Sequence, residues 1–350
     1  MGEVKILSVN TSTKKGTAKQ PVTSITLTMN GIEGDAHSGP WNRQVSLLGI
    51  ESIRKFEQEA GRQINVGEFA ENITTEGLEL WKCLPLDRFV GDGFELEVTQ
   101  IGKECHGTSC SIFKEVGNCV MPKEGIFARV IGSSQLAVGS LPDPGFPIPE
   151  QENRQPTTDN QQPTTHNLKP GTTLIYQPKI FSSRIITLSD RAFQGEYEDK
   201  SGPRIKELLE AHFSRHEATG MSHEASRLTS HVTLLPDDPE LLRKEITESI
   251  TAGVDFIFTT GGTGIGPRDF TPDVVKPMLD KKIPGIMEMI RTKYGAEKHQ
   301  ALLSRGIAGV AGTSLIFTLP GSVRAVNEYM AEILKSLMHM VYMLHGLDSH

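Results

Sequence analysis

The sequence predicts an α/β protein of two domains. An N-terminal β-rich, barrel-like domain is joined by a Pro-rich linker to a C-terminal three-layer α/β domain with a mostly parallel sheet. Three observations predict this. Residues 1 to 141 carry many short alternating or β-branched runs between glycine turns. Residues 142–179 hold eight of the chain's 20 prolines and the near-repeat Gln-Pro-Thr-Thr at 155–158 and 162–165. From residue 180 onward, strand-like and helix-like runs alternate, which implies a parallel sheet covered on both faces.

In the first domain the strand runs are Val4–Val9, Thr23–Met29, Gln44–Leu48, Phe94–Ile101 and Gly125–Ile131. Turns at Gly31, Gly34-Asp35, Gly91-Asp92-Gly93 and Gly132-Ser133 separate them. Gly49–Ala60 reads as a helix, because Ile50, Ile53 and Phe56 share one face. The 142–179 segment cannot bury enough apolar surface to offset its chain entropy, so it reads as a flexible linker. As a coil it would span roughly 35 Å.

In the second domain Arg184–Leu188, Arg227–Leu235, Val254–Thr259 and Ser314–Leu319 read as strands. Helices are expected over Gly202–Phe213, Asp238–Ile250, Thr271–Leu279, Pro284–Tyr294 and Ser322–Leu344. Asp238 is placed to cap its helix, with Pro239 in the first turn. The last helix carries an apolar stripe through Val326, Met330, Ile333 and Leu337.

Composition excludes some functions. The net charge of −7 argues against a general nucleic-acid surface. No run approaches the ~20 apolar residues of a membrane span. The opening MGEVKILSVN lacks the apolar core of a signal peptide. A cytoplasmic setting is expected, with Cys83, Cys105, Cys110 and Cys119 as thiols.

The densest chemical signal is TTGGTGIGPRDFTPD, residues 259–273. Gly261, Gly262, Gly264 and Gly266 follow a hydrophobic run and precede a helix-start signal. Glycine lets the backbone turn tightly and bring N–H groups against an anion. The helix that follows is expected to add its positive end. Asp269 sits in the same loop, and a carboxylate beside a phosphate needs a cation between them. The stretch therefore suggests a Mg²⁺–nucleotide site. It is neither a Walker A loop nor a dinucleotide fingerprint. Other polar loops follow strands or flank helices: Ser189-Asp190-Arg191, Asp199–Gly202, Pro236-Asp237-Asp238, Ser304-Arg305-Gly306 and Pro320-Gly321-Ser322. In a doubly wound sheet such loops converge on one edge. Helix capping competes with function at Asp237 and Asp269, an Asx turn at Asp190, and plain surface exposure at Arg305.

That run closely resembles the molybdopterin adenylyltransferase signature of the MogA/MoaB family, shared with the gephyrin G domain. SDRAFQGEYEDKSGP, LLPDD, PGIMEMIR, LSRG and TLPGS extend the resemblance over about residues 183–345. It implies AMP transfer from ATP, with Mg²⁺, to molybdopterin, releasing pyrophosphate. The product then accepts molybdate or tungstate. It also implies Asp237 and Asp269 as the key carboxylates, with Asp269 positioning metal or substrate. Ser189, Asp190, Ser201, Gly202, Gly261, Gly262, Thr263, Gly264, Ser304, Arg305, Pro320, Gly321 and Ser322 fall on the implied binding loops. A homotrimer or higher oligomer is implied, with molybdenum-insertion and molybdoenzyme-maturation proteins as partners. The Gly-Ile-Gly-Pro-Arg-Asp form does not separate a transferase from a relative that binds pterin without efficient transfer.

In the first domain GIEGDAHSGPWNRQVSLL, GEFAENITTEGLEL and GKECHGTSC resemble the MOSC domain. The resemblance implies molybdenum-cofactor binding or sulfur carriage on a cysteine. By association with the sulfurases it also implies pyridoxal phosphate. The matching cysteine is Cys105, whose thiolate Lys103 and His106 would favour. Asp35, His37, Arg43 and Asn72 could line an anionic pterin pocket. The alternatives are a pterin carrier with little turnover and an oligomeric scaffold.

Overall fold

The computed structural model describes residues 2–103, 119–132, 165–217 and 227–347. The chain divides into two compact units, one closing at Lys179 and the other running from Ile180. No helix among the described residues is long and apolar enough to cross a membrane.

The first unit holds β1 (Gly2–Thr11), β2 (Gln20–Val22), β3 (Ile25–Thr28), β4 (Gly31–Ile32), β5 (Val45–Gly49), β6 (Ile73–Glu76), β7 (Arg88–Val90), β8 (Phe94–Ile101), β9 (Ile126–Gly132), β10 (His166–Leu168) and β11 (Thr173–Gln177). Seven of these follow the order β11-β7-β8-β9-β5-β6-β1, and β1 pairs back onto β11. The result is a closed barrel, which leaves no open edge along its staves. Helix α1 (Ile50–Ala60) packs Ile53 and Phe56 with Leu48, Phe69 and Phe127. A short helix, α2 (Met121–Glu124), precedes β9.

Closure of the barrel corrects the extent of the expected linker. β10 and β11 fall inside residues 142–179, yet β10 pairs with β3 and β11 fills the gap between β1 and β7. Leu174 and Tyr176 alternate with more exposed neighbours and are buried. The Tyr176 hydroxyl donates to the buried Asp87 carboxylate at 2.6 Å. Strands of three and five residues among prolines and glycines carry little periodicity. Their pairing is supplied from far away in sequence. The rest of that segment, up to residue 164, lies outside the described residues.

The second unit is a six-stranded sheet of β12 (Phe181–Leu188), β13 (Leu228–Leu235), β14 (Phe256–Thr260), β15 (Lys281–Lys282), β16 (Ala308–Ala311) and β17 (Ser314–Leu319). Its order is β13-β12-β14-β17-β16-β15. The first four strands run parallel, and β16 runs against them at one edge, pairing antiparallel with β17 and with β15. The helices are α3 (Asp190–Phe193), α4 (Ser201–Glu217), α5 (Pro239–Thr251), α6 (Thr271–Val275), α7 (Pro284–Gly295) and α8 (Val323–Leu344). On one face α5 and α6 pack Leu242, Ile246, Val274 and Val275 against Ile186, Ile257 and Ile316. On the other, Phe213 of α4 meets Phe181 and Phe256, with ring centroids 5.2 and 5.8 Å away.

Helix α6 is shorter than the sequence suggests. It ends at Val275, and a single 3₁₀ turn, Lys276–Met278, follows. Pro277 has no N–H for the helical ladder and stops it. A five-residue helix sums few peptide dipoles, so the positive end expected behind the glycine loop is weak.

Helices α7 and α8 are joined at Glu332. Its buried carboxylate accepts from Lys293 and Lys335 at 2.6 Å each and from the Tyr294 hydroxyl at 3.3 Å. Hydrogen bonds from Lys293 and Lys335 lower its pKa to about 2. The folded pKa lies below the ordinary 4.5. The pair's contribution is therefore fully present above about pH 4.5 and is lost as pH falls towards 2. Glu332→Gln should lower stability by about 1 kcal/mol, discounted because both lysines are half-exposed. Acid melts should show a weaker loss between those limits in the variant than in the wild type.

Candidate functional site

Strand order places the site. β12 has β13 on one side and β14 on the other, so the connections leave it in opposite directions and open a crevice at the carboxyl ends. A cleft of about 410 Å³ lies there, lined among others by Thr187, Ser189, Tyr197, Asp199, Ser201 and Gly321.

The loop after β12 opens the cleft. Ser189 caps α3 by accepting from Ala192 N at 3.2 Å, and its hydroxyl meets the Tyr197 hydroxyl at 2.8 Å. Asp190 joins three loops. Its Oδ1 accepts from Asp237 N at 2.8 Å, and its own N–H donates to Asp237 Oδ2 at 3.4 Å. Its Oδ2 receives Arg268 Nη1 at 3.3 Å. This is an inter-loop tie, where an isolated Asx turn was the competing expectation.

Asp199 organises the start of α4. It accepts from the Thr187 hydroxyl at 2.7 Å and from Ser201 N and Oγ at 2.9 Å each, with Gly202 N at 3.3 Å. Ser201 and Gly202 are thereby held at the cleft wall. The helix begins one residue earlier than its apolar pattern suggested because this cap reaches back. Sequence placed Asp199 in a polar loop without giving it a site role, and it did not single out Tyr197. An Asp before Ser-Gly-Pro is a helix-start signal that could have marked the first. Tyr197 had none, because only the fold brings its ring to Ser189.

The glycine loop leaves β14. Gly261 has φ +106°, and a methyl there would lie 2.4 Å from the Leu188 carbonyl oxygen. No side chain fits that crossing of β12 and β14. Thr271 closes the turn, its hydroxyl donating to Gly261 O at 2.9 Å and its N–H to Gly262 O at 3.0 Å. Asp269 folds back into the loop. Its Oδ2 accepts from Gly266 N at 2.7 Å, and Oδ1 makes no hydrogen bond among the described residues. Asp269 does not cap α6; Phe270 is the cap position, without a side-chain bond. Nor does Asp237 cap α5, since Asp238 accepts from Glu240 N and Leu241 N. Both competing explanations for the two carboxylates are thus removed.

Arg305 holds the loop from outside. Its Nε donates to Gly264 O at 2.7 Å, Nη1 to both oxygens of Asp273, and Nη2 to Asp269 O. Its N–H also reaches Thr263 O at 2.8 Å. In this state the guanidinium is a clamp on the loop, while the sequence reading gave it to the substrate. Ser304 accepts from the Tyr329 hydroxyl at 2.8 Å. Pro320 O accepts from the Thr260 hydroxyl at 2.9 Å, and Ser322 caps α8 through Ala325 N. All the loops singled out in this half meet at one sheet edge.

The first unit brings its own cluster together. Asp35 is buried and accepts Lys19 Nζ at 2.7 and 2.6 Å, Asn72 Nδ2 at 3.1 Å, Ser12 N at 3.1 Å and His37 N at 2.9 Å. Burial alone would raise its pKa, but the bonds from His37 and Lys19 outweigh it and hold the carboxyl well below its usual range. Lys19 is also buried, which lowers its pKa despite Asp35. His37 stacks with Trp41 at 6.3 Å, and Arg43 lies over the same indole at 5.7 Å. Asp35, His37 and Asn72 are therefore in contact, with Arg43 linked through Trp41. Lys19 was not foreseen, because a buried lysine has no sequence signal. Cys105, His106 and Cys110 lie outside the described residues. Cys83 is buried and Cys119 partly exposed.

Glu71 lies beneath this cluster. Its Oε1 accepts from Gly67 N and from the Thr74 hydroxyl, while Oε2 is buried without a partner. Burial raises its pKa from 4.5 to about 6, against the hydrogen bonds. A folded pKa above the unfolded one means stability that is full below about pH 4.5 and declines as pH rises through about 6. Glu71→Gln should flatten that slope in melts of the chain between pH 4 and 7. An unchanged slope would show that Glu71 does not titrate there.

Two family models match the chain. "Probable molybdopterin binding domain" covers residues 184–339, and "MOSC domain" covers 34–140. Gephyrin of Dictyostelium discoideum is 36% identical over 163 residues, which is 46% of this chain and 22% of that protein. Cinnamon, a molybdenum cofactor synthesis protein of Drosophila melanogaster, is 32% identical, and the match spans 25% of its length. The chain thus spans a quarter or less of these two long relatives. Molybdopterin adenylyltransferase of Pyrococcus furiosus is 36% identical over 171 residues, covering 47% of this chain and 91% of that protein. The solved tungsten cofactor synthesizing protein MoaB of Pyrococcus furiosus is 33% identical, with a TM-score of 0.40, covering 48% of this chain and 98% of that one.

Proposed function

The C-terminal half of this chain belongs to the MogA/MoaB molybdopterin-binding family and its N-terminal half carries a MOSC domain, and from that premise we propose that the second unit adenylylates molybdopterin with Mg²⁺ and ATP. Molybdenum cofactor synthesis is the pathway that relatives of this half are named for. The observation that carries the reading is Asp269. It is seated in the glycine turn on Gly266 N–H, with Oδ1 making no hydrogen bond among the described residues; its neighbour Arg268 contacts Asp190, which in turn holds Asp237.

The chemistry of the donors is the kind Mg²⁺ takes. Asp237 and Asp269 each keep one carboxylate oxygen without a hydrogen bond, and Mg²⁺ takes few protein carboxylates beside phosphate and water. Bound there, the ion would neutralise charge on the phosphate oxygens. The chain's residues do the rest by positioning. Main-chain N–H groups of the glycine turn cradle the ATP phosphates. Ser189, Ser201 and the Pro320–Ser322 turn line the cleft for the pterin and its phosphate. An anionic phosphate oxygen of molybdopterin attacks the α-phosphorus of ATP. A new P–O bond forms, the bond to the β-phosphate oxygen breaks, and pyrophosphate leaves with the electron pair. The attacking oxygen is already anionic, so no general base is required.

The first unit would bind the cofactor or carry sulfur on Cys105, and the second would assemble as a trimer or higher oligomer in the cytoplasm. Partners would be molybdenum-insertion and molybdoenzyme-maturation proteins. The test is pyrophosphate release from ATP on adding molybdopterin. Release above the pterin-free control supports transfer. Pterin binding without release returns the protein to the carrier reading. Absence of a Cys105 persulfide after treatment with a donor of zero-valent sulfur, such as a polysulfide, would count against sulfur carriage.

A further inference from the structure

We propose that Arg268 is a polyphosphate-gripping residue and that Asp190 is its counter-ion in the resting state, the two parting when the anion enters. The inference rests on the adenylyl-transfer reading and deepens it. The glycine loop is surrounded by acid: Asp190, Asp237, Asp269 and Asp273 stand on it or on its neighbours. A highly charged polyphosphate meets repulsion there unless a cation is free to move to it. Two nearby arginines are committed. Arg305 binds Gly264 O, Asp269 O and Asp273, and Arg191 pairs with Glu196 at 2.8 Å.

Arg268 differs from both. It follows Gly266-Pro267 at the exposed tip of the loop, and its side chain is 76% exposed. Among the described residues its side chain makes one hydrogen bond, from Nη1 to Asp190 Oδ2 at 3.3 Å. A single long contact at an exposed site is a weak tie. A phosphate offers the guanidinium a bidentate, doubly charged partner instead. Asp190 keeps its other oxygen on Asp237 N, so it stays in place when Arg268 leaves.

The two sides of this ion pair should then respond in opposite directions. Arg268→Gln should raise the KM for ATP about ten- to hundredfold, the range of a lost charge-assisted hydrogen bond, and change kcat much less. Asp190→Asn keeps an oxygen for Asp237 N and turns an amide towards Arg268. It frees the arginine and should lower the KM for ATP about threefold. Arg268→Lys should restore part of the affinity. A latch that merely held two loops together would weaken ATP binding from either side, so a shift in the same direction for both variants overturns the proposal. Calorimetry with inorganic tripolyphosphate, which needs no turnover, separates the two readings. Wild-type binding that Arg268→Gln weakens, with no pyrophosphate release from ATP, sinks adenylyl transfer and leaves the grip standing. Equal tripolyphosphate affinity in wild type and Arg268→Gln sinks the grip whatever the turnover.

Discussion

Asp269→Asn should lower the rate of pyrophosphate release about 10²- to 10³-fold, in the range seen when one preorganised electrostatic group is removed from an active site, while the fold stays intact. Asparagine keeps the shape of the side chain. Its oxygen can still accept from Gly266 N, so the loop conformation survives. What is lost is the negative charge that, in the proposed mechanism, holds the cation on the phosphates. The loss should fall on kcat more than on pterin affinity, because the charge matters most as the adenylyl group transfers. A second variant reaches the same atom by another route. A methyl at Gly264 would lie 2.6 Å from Asp269 Oδ2, so Gly264→Ala must push the carboxylate aside. Its turnover should fall with an unchanged melting temperature. Full turnover in Asp269→Asn, measured as pyrophosphate released per minute, removes Asp269 from the mechanism.

Lys19→Met should destabilise the first unit by about 3–5 kcal/mol, the cost of leaving a buried charge without its partner. Asp35 accepts both of its closest bonds from the Lys19 ammonium, and neither side chain reaches water. The remaining partners are Asn72, Ser12 N, the His37 backbone and the His37 ring nitrogen at 3.4 Å, and none of them replaces the close ammonium. The carboxylate must then protonate or draw water inward. Replacing both, Lys19→Met with Asp35→Asn, removes the charge as well as its partner and should recover much of the loss. Urea melts followed by a probe in the barrel give the comparison. A single variant as stable as the wild type would mean that the pair contributes nothing net.

Much of the fold was legible because it is written locally. The βα alternation after residue 180, the Asp238-Pro239 helix start and the stripe on α8 depend on near neighbours in sequence, and the structure reproduces them. The candidate loops were legible for the same reason: parallel strands send the loops that follow them to one edge. Thr173–Gln177 was not, because its partners are Gly2–Lys5 and Arg88–Val90, far away in the chain. Pro277 was visible, but its effect on α6 was outweighed by the helix-start signal before it. Arg305 and Arg268 show the limit most clearly. Arg268 lies in the motif and Arg305 packs against it, and nothing local in sequence tells the half-buried clamp from the exposed grip.

By itself the sequence determined two domains, their strand-rich and βα characters, the resemblance of each half to its family, and the glycine loop with its aspartate. Local spacing encodes these, through periodicity, turn chemistry and motif order. Only the tertiary structure decided the closing stave of the barrel, the burial of Lys19 against Asp35, the Asp190–Asp237–Arg268 tie, and the seating of Asp269 on Gly266 instead of on the next helix. Each of these joins residues distant in sequence or chooses between two local partners. That choice is made by packing and charge across space, which no single stretch of the chain contains.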